Sequence, residues 1–239
     1  MRSFTLMIGS FFKTEFEECR KLLKTVPSVL FAVLVLAVVS MNLLANKELF
    51  RTEWVALDCG FILSWIPFLI MDAVCRAHGG KAAARLSIIA IVINLALFAI
   101  FKLISLTPGM WGAYYASGSL QVNQALNDTI GGSTWIVFGS ALAMAVASIV
   151  NSALNMLIAR FIKRDGFGQF ALRSFPSTVI SQFVDNLVFA LIVSVPLFGW
   201  NLRQALPCST VAALFELSLE VVFSLFGYRI SLRMKGRER

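Results

Sequence analysis

The 239 residues are 58% hydrophobic and 14% charged, with a mean hydropathy of +0.80; soluble domains carry about 25% charged residues, so a soluble globule is excluded. The formal charge of +8 is dispersed over short segments between apolar runs. That pattern orients a chain in a bilayer and argues against a nucleic-acid partner.

Crossing about 30 Å of hydrocarbon takes roughly 20 apolar residues of helix. Six runs qualify, at roughly 26–44, 56–75, 86–106, 135–158, 178–199 and 208–228. The short alternating segments of a β-barrel are missing. The expected fold is therefore an all-α integral membrane protein, a six-helix transmembrane bundle with cytoplasmic N and C termini. Its basic residues set that orientation: Arg20, Lys21 and Lys24, then Arg76, Lys81 and Arg85, then Arg160, Lys163 and Arg164, then Arg229 to Arg239 share one side. Residues 1–25 precede the bundle at 26–228, and a basic cytoplasmic tail follows at 229–239.

In the first segment "KTEFEECRKLLKT" places charges where a signal peptide needs an apolar core. Phe12, Phe16, Cys19 and Leu23 recur there at helical spacing, predicting an amphipathic helix along the inner membrane surface. The second run ends in "WIPFLIMDAVCRAHGGKAAAR". Asp72 and Arg76 stand one turn apart, which fits either an ion pair or a substrate contact, and the two glycines end or turn the helix. His78 is the single histidine, and the four cysteines show no metal-ligand spacing, so no metal and no cofactor is expected.

The connection "TPGMWGAYYASGSLQVNQALNDTIGGST" is long for a structureless loop and is expected to fold over the outer mouth or dip into the interface. Trp111, Tyr114 and Tyr115 suit an interfacial belt. In the fourth run Ser148, Asn151, Ser152 and Asn155 form one polar stripe; in the fifth, Thr178, Ser181, Gln182, Asp185 and Phe189 form another. Glu216 and Glu220 lie one turn apart in the sixth run. A central acid costs about 2.5–3.5 kcal/mol on insertion scales, so these stripes must face protein or water. Counted from the ends of their runs, Asp185, Glu220 and Asn94 of the third run are expected to share one polar layer in the inner half of the bilayer.

Intramembrane acids usually mark a substrate or ion path, which favours a transporter. A membrane-embedded enzyme would need a His cluster, a Gly-flanked nucleophile or metal-spaced acids, none of which the sequence contains. A ligand-free structural subunit is the third class.

"LLANK" after the first run, "DAVCRAHGGKAAAR" after the second and "STVISQFVDNLVFALI" in the fifth resemble, in order and spacing, the vitamin uptake transporter family that includes the queuosine precursor transporters. The resemblance spans roughly Asn42 to Tyr228. It implies import of 7-cyano- or 7-aminomethyl-7-deazaguanine across a bacterial or archaeal cytoplasmic membrane. It also carries family residues onto Asn46 and Lys47, Asp72, Arg76 and Gly79, and Ser177, Gln182, Asp185 and Asn186. A carboxylate and an amide suit the donor-rich edge of a deazaguanine, and Trp65 or Phe189 could stack on its ring. The chain departs from the family at Glu216, where lysine is usual, and at Ser224-Leu225, where Thr-Pro is usual. With Glu220, these residues form the candidate substrate site. Implied partners are the small-molecule substrate and the lipid bilayer, and either a second copy of the chain or, by analogy with energy-coupling-factor importers, an ATPase module.

Overall fold

The computed structural model describes residues 2–107, 120–162 and 166–237. Trp111, Tyr114, Tyr115, Lys163, Arg164 and Arg239 lie outside them. The described chain is almost wholly helical: α1 (Arg2–Thr25), α2 (Ser28–Leu44), α3 (Trp65–His78), α4 (Gly80–Ile104), α5 (Leu120–Gly132), α6 (Thr134–Phe161), α7 (Phe167–Phe189), α8 (Val195–Leu197) and α9 (Leu202–Arg237). Five helical segments are long and apolar enough to cross a membrane, or six if α1 from Lys13 onward and α2, bent by 110° at Pro27, count as one. An all-α membrane protein is thus borne out.

Boundaries follow local chemistry. Gly79, at φ 87, ends α3 in a conformation costly for any other residue, and α4 starts at once. Nothing between Phe167 and Thr178 breaks the fifth helix except Pro176, which it accommodates, so α7 starts well before its apolar run. Part of the long connection is helical rather than loop: α5 leads into α6 through Ser133 and packs against the end of α4. Between α2 and α3 the chain forms a small antiparallel hairpin, β1 (Glu48–Arg51) with β2 (Ala56–Asp58), and then a 3₁₀ turn, Cys59–Leu63. Its strands are too short for any periodicity to reveal.

At one end α1 lies against α4, where Arg85 bridges Glu15 at 2.8 Å and Glu18 at 3.3 Å. That guanidinium holds the Glu15 carboxyl below its ordinary range. At the other end the hairpin meets the α8–α9 turn: Arg51 donates to the Phe198 carbonyl at 2.8 Å, and Gln204 to that of Glu53 at 2.8 Å. Small residues let the helices approach inside the bundle, with Ala83, Ala90, Ala143 and Ala147 buried. Val29, Leu36, Ile149, Val222 and Phe226 stay exposed, as a lipid-facing perimeter requires.

Between α7 and α8 the helix widens into a π turn, Ala190–Ser194. Pro196 has no N–H for the Ile192 carbonyl, and the Trp135 indole Nε1 supplies the missing donor at 2.9 Å. Gly139 of α6 permits this approach, since a Cβ there would lie 2.3 Å from Val193 Cγ2. Trp135→Phe should lower stability by about 1 kcal/mol, the net worth of one such bond, read as a lower melting temperature in detergent.

Candidate functional site

The polar stripes do turn inward: Ser148, Asn151, Ser152 and Asn155 on α6, and Thr178, Ser181, Gln182 and Asp185 on α7, are all buried, as is Asn94 on α4. They do not form one layer. The acids sort into two tiers, because α7 and α9 run well past their apolar runs and counting from run ends misjudges their mutual register.

The first tier is a cavity of about 590 Å³, its open mouth included, near the hairpin end of the bundle. Its walls come from α2 (Met41, Asn42), the 3₁₀ turn (Gly60, Phe61), α6 (Ser140), α7 (Asp185, Asn186, Phe189) and α9 (Ser209, Ala212), with Trp200 near the mouth. A second recess lined by Asn46, Glu48, Phe198 and Trp200 adjoins it and shares Ala45, Leu57, Asp58 and Trp200 with it. Asp185 is 9% exposed, and no described residue donates to its Oδ1. Asn42 Nδ2 and Ser194 Oγ, which also border the cavity, are buried without partners, as are both side-chain polar atoms of Gln182 one turn from Asp185. Buried polar atoms are normally paired; this concentration of open donors and acceptors around one cavity is what a polar ligand would satisfy.

Glu216 lies buried behind the wall of this cavity. It accepts from Ser64 Oγ and, at 3.0 Å, from Asn186 Nδ2, both of which belong to cavity-lining residues. A lysine there could accept from neither, so the acid is matched by its neutral donors.

The second tier lies deeper, toward the end of the bundle where α1 lies. Asp72 accepts from Asn151 Nδ2 at 2.7 Å, from Thr178 Oγ1 at 2.9 Å and from Ser174 Oγ. Ser174 and Thr178 also reach Glu220 Oε1, at 2.6 and 3.1 Å. Thr178 and Asp185 are seven residues apart on α7, or about 10 Å at 1.5 Å per residue.

Arg76 turns away from Asp72. It donates to Ser231 Oγ at 2.8 Å and lies 4.5 Å over the Tyr228 ring, so the two residues form no ion pair. The exchange Asp72→Arg with Arg76→Asp should therefore remain inactive in uptake, because the two residues serve different surroundings and swapping them restores neither the Asn151, Ser174 and Thr178 bonds to a carboxylate at 72 nor the stacking on Tyr228. A double exchange restored to more than half the parental rate would show that the two act as a pair.

Of the other candidates, Asn46 lines the adjoining recess rather than the cavity and donates to Ser133 Oγ at 2.7 Å. Ser177 bonds only to backbone carbonyls of Arg173 and Ser174, and Lys47 is exposed. Trp65 is not brought to the cavity: it stacks on Phe223 at 4.6 Å and borders an apolar groove between α2, α3 and α9. Asn42, Ser194 and Trp200 escaped the sequence reading. A lone Asn ending the apolar run "VVSMNLL" was the available signal for the first.

A multi-pass helical bundle with a polar-lined cavity toward one end and buried acids on facing helices has the architecture of membrane transport proteins. The model of one family, described as "Putative vitamin uptake transporter", matches residues 58–230. The chain belongs to that family, a family of transporters and not of enzymes. The same comparisons found no matching curated protein and no matching solved structure.

Proposed function

We propose that this protein imports a small planar heterocycle, most specifically a queuosine precursor such as 7-cyano- or 7-aminomethyl-7-deazaguanine. The observation that carries the reading is the set of unpartnered polar atoms lining the cavity, Asp185 Oδ1 as an acceptor, Asn42 Nδ2 as a donor and Ser194 Oγ, with the unpartnered Gln182 amide behind the wall one turn from Asp185. A deazaguanine edge presents adjacent donors and acceptors, which an acid and two amides can match. Phe189 and Trp200 supply aromatic faces at the cavity wall. Asp185, Gln182, Asn186 and Phe189 hold the substrate in this reading, with Asn46 in the adjoining recess.

The proposed setting is a prokaryotic cytoplasmic membrane, crossed six times, with α1 on the inner surface, both termini cytoplasmic and the cavity opening outward. Cysteines placed at Asn123 and Arg237 should react with a membrane-impermeant thiol reagent from outside and inside respectively; the opposite pattern would invert the map. The functional test is restoration of queuosine in tRNA when the gene is expressed in cells unable to make its precursors. Failure by a verified, membrane-inserted protein would exclude these two bases.

A further inference from the structure

We propose that Asp72 and Glu220 form a proton-coupling site, separate from the cavity, that carries one proton inward with each substrate molecule. The inference rests on the importer reading above and adds its energy source.

Counting hydrogens carries the argument. Ser174 Oγ and Thr178 Oγ1 each contact both Asp72 Oδ2 and Glu220 Oε1. A hydroxyl has a single hydrogen, so two hydroxyls cannot fill four oxygen–oxygen contacts. Asn151 is already used on Asp72 Oδ1. Two of the four contacts are left without a hydroxyl hydrogen, so at least one of the two carboxyls carries a hydrogen of its own and a hydroxyl accepts from it. The two acids are fully buried, and among the described residues no ion pair joins either to a cation. Two carboxylates so placed cannot both be ionised. The bonding distances between hydroxyl and carboxyl oxygens are bridged by hydrogen and leave no gap for a metal ion.

Glu220 Oε2 and Asn151 Oδ1 are buried without partners beside the pair, giving an arriving hydrogen somewhere to bond. The other titratable groups near this tier are Cys75 on α3 and Arg173 on α7; α6 contributes neutral Asn151, and Asp185 and Glu216 belong to the cavity tier. Arg173 is engaged with the Ile162 carbonyl at 2.9 Å.

Two side chains stand between the cavity and the pair. Glu216 bonds to two cavity-lining residues and stands one turn of α9 from Glu220. Gln182, with its amide unpartnered, stands one turn of α7 from both Thr178 and Asp185. A proton taken from water in the cavity can pass to the pair and be released at the opposite end, with none consumed.

The test uses the full chain in liposomes with radiolabelled 7-cyano-7-deazaguanine. One proton per substrate makes accumulation rise about tenfold for each unit of inward pH gradient. A protonophore should abolish this, and a sodium gradient should not replace it. Glu220→Gln should still bind substrate and exchange it across the membrane yet lose the response to the gradient; Asp72→Asn serves if that variant does not fold. Gradient-driven accumulation in both variants, or accumulation driven by sodium alone, would overturn the proposal. If the wild-type protein does not move this base, the substrate reading has failed, and substrate-free infrared spectroscopy still decides on the pair. A protonated-carboxyl band lost in Glu220→Gln or Asp72→Asn supports it, and a spectrum unchanged in both refutes it.

Discussion

Asp185→Asn is expected to abolish uptake and weaken substrate binding by roughly 10- to 100-fold, while abundance and melting temperature stay at wild-type values. Each charged hydrogen bond to a ligand contributes about 1.5–3 kcal/mol, and the substitution keeps shape while removing charge. Stability is spared because no described residue donates to Asp185 Oδ1, so the fold has no bond there to lose. A helix-gluing acid would lose stability in step with activity, and a lipid-facing acid would be improved by the change. A cysteine at position 186, which lines the cavity, should be shielded from thiol reagents by substrate. Transport at the wild-type rate by Asp185→Asn would show that the stripe on α7 is only packing.

Gly60→Ala should cost about 1–3 kcal/mol of stability, the usual range for overpacking, and close part of the cavity. The added Cβ would lie 2.2 Å from the Met41 carbonyl oxygen and 3.0 Å from Asp58 Oδ1. The first is helix backbone and cannot rotate aside, so the 3₁₀ turn must move away from α2. Met41 and Gly60 both line the cavity, and binding should fall with stability. Gly132→Ala is the control: nothing lies within 4 Å of its Cβ, so its melting temperature should hardly change. Equal behaviour of the two variants would remove the close approach from the account of this wall.

The positions of the apolar helices, the inward turn of the stripes on α6 and α7, and the turn at Gly79 were all legible in the sequence. Each depends on the chain within a few residues: hydropathy decides what can enter lipid, and helical periodicity decides which residues share a face. The carboxyl of Asp185 could be singled out for the same reason, since lipid would not tolerate it.

The grouping of those residues was decided only by the tertiary structure. Spacing alone put Asp72 and Arg76 on one face, open to either a pair or a substrate contact, and put Asp185 in one layer with Glu220, whereas packing gives Asp72 to Glu220 and Asp185 to a cavity whose wall Glu216 backs. Trp65 turned to the outer groove while Trp200 came to the mouth, although nothing in either neighbourhood distinguishes them. The reason is geometric. A one-residue change in the register of a helix rotates its side chains by about 100° and shifts them 1.5 Å along the axis; the relative register of α3, α7 and α9 is set by contacts between helices far apart in sequence, and so has no local signature.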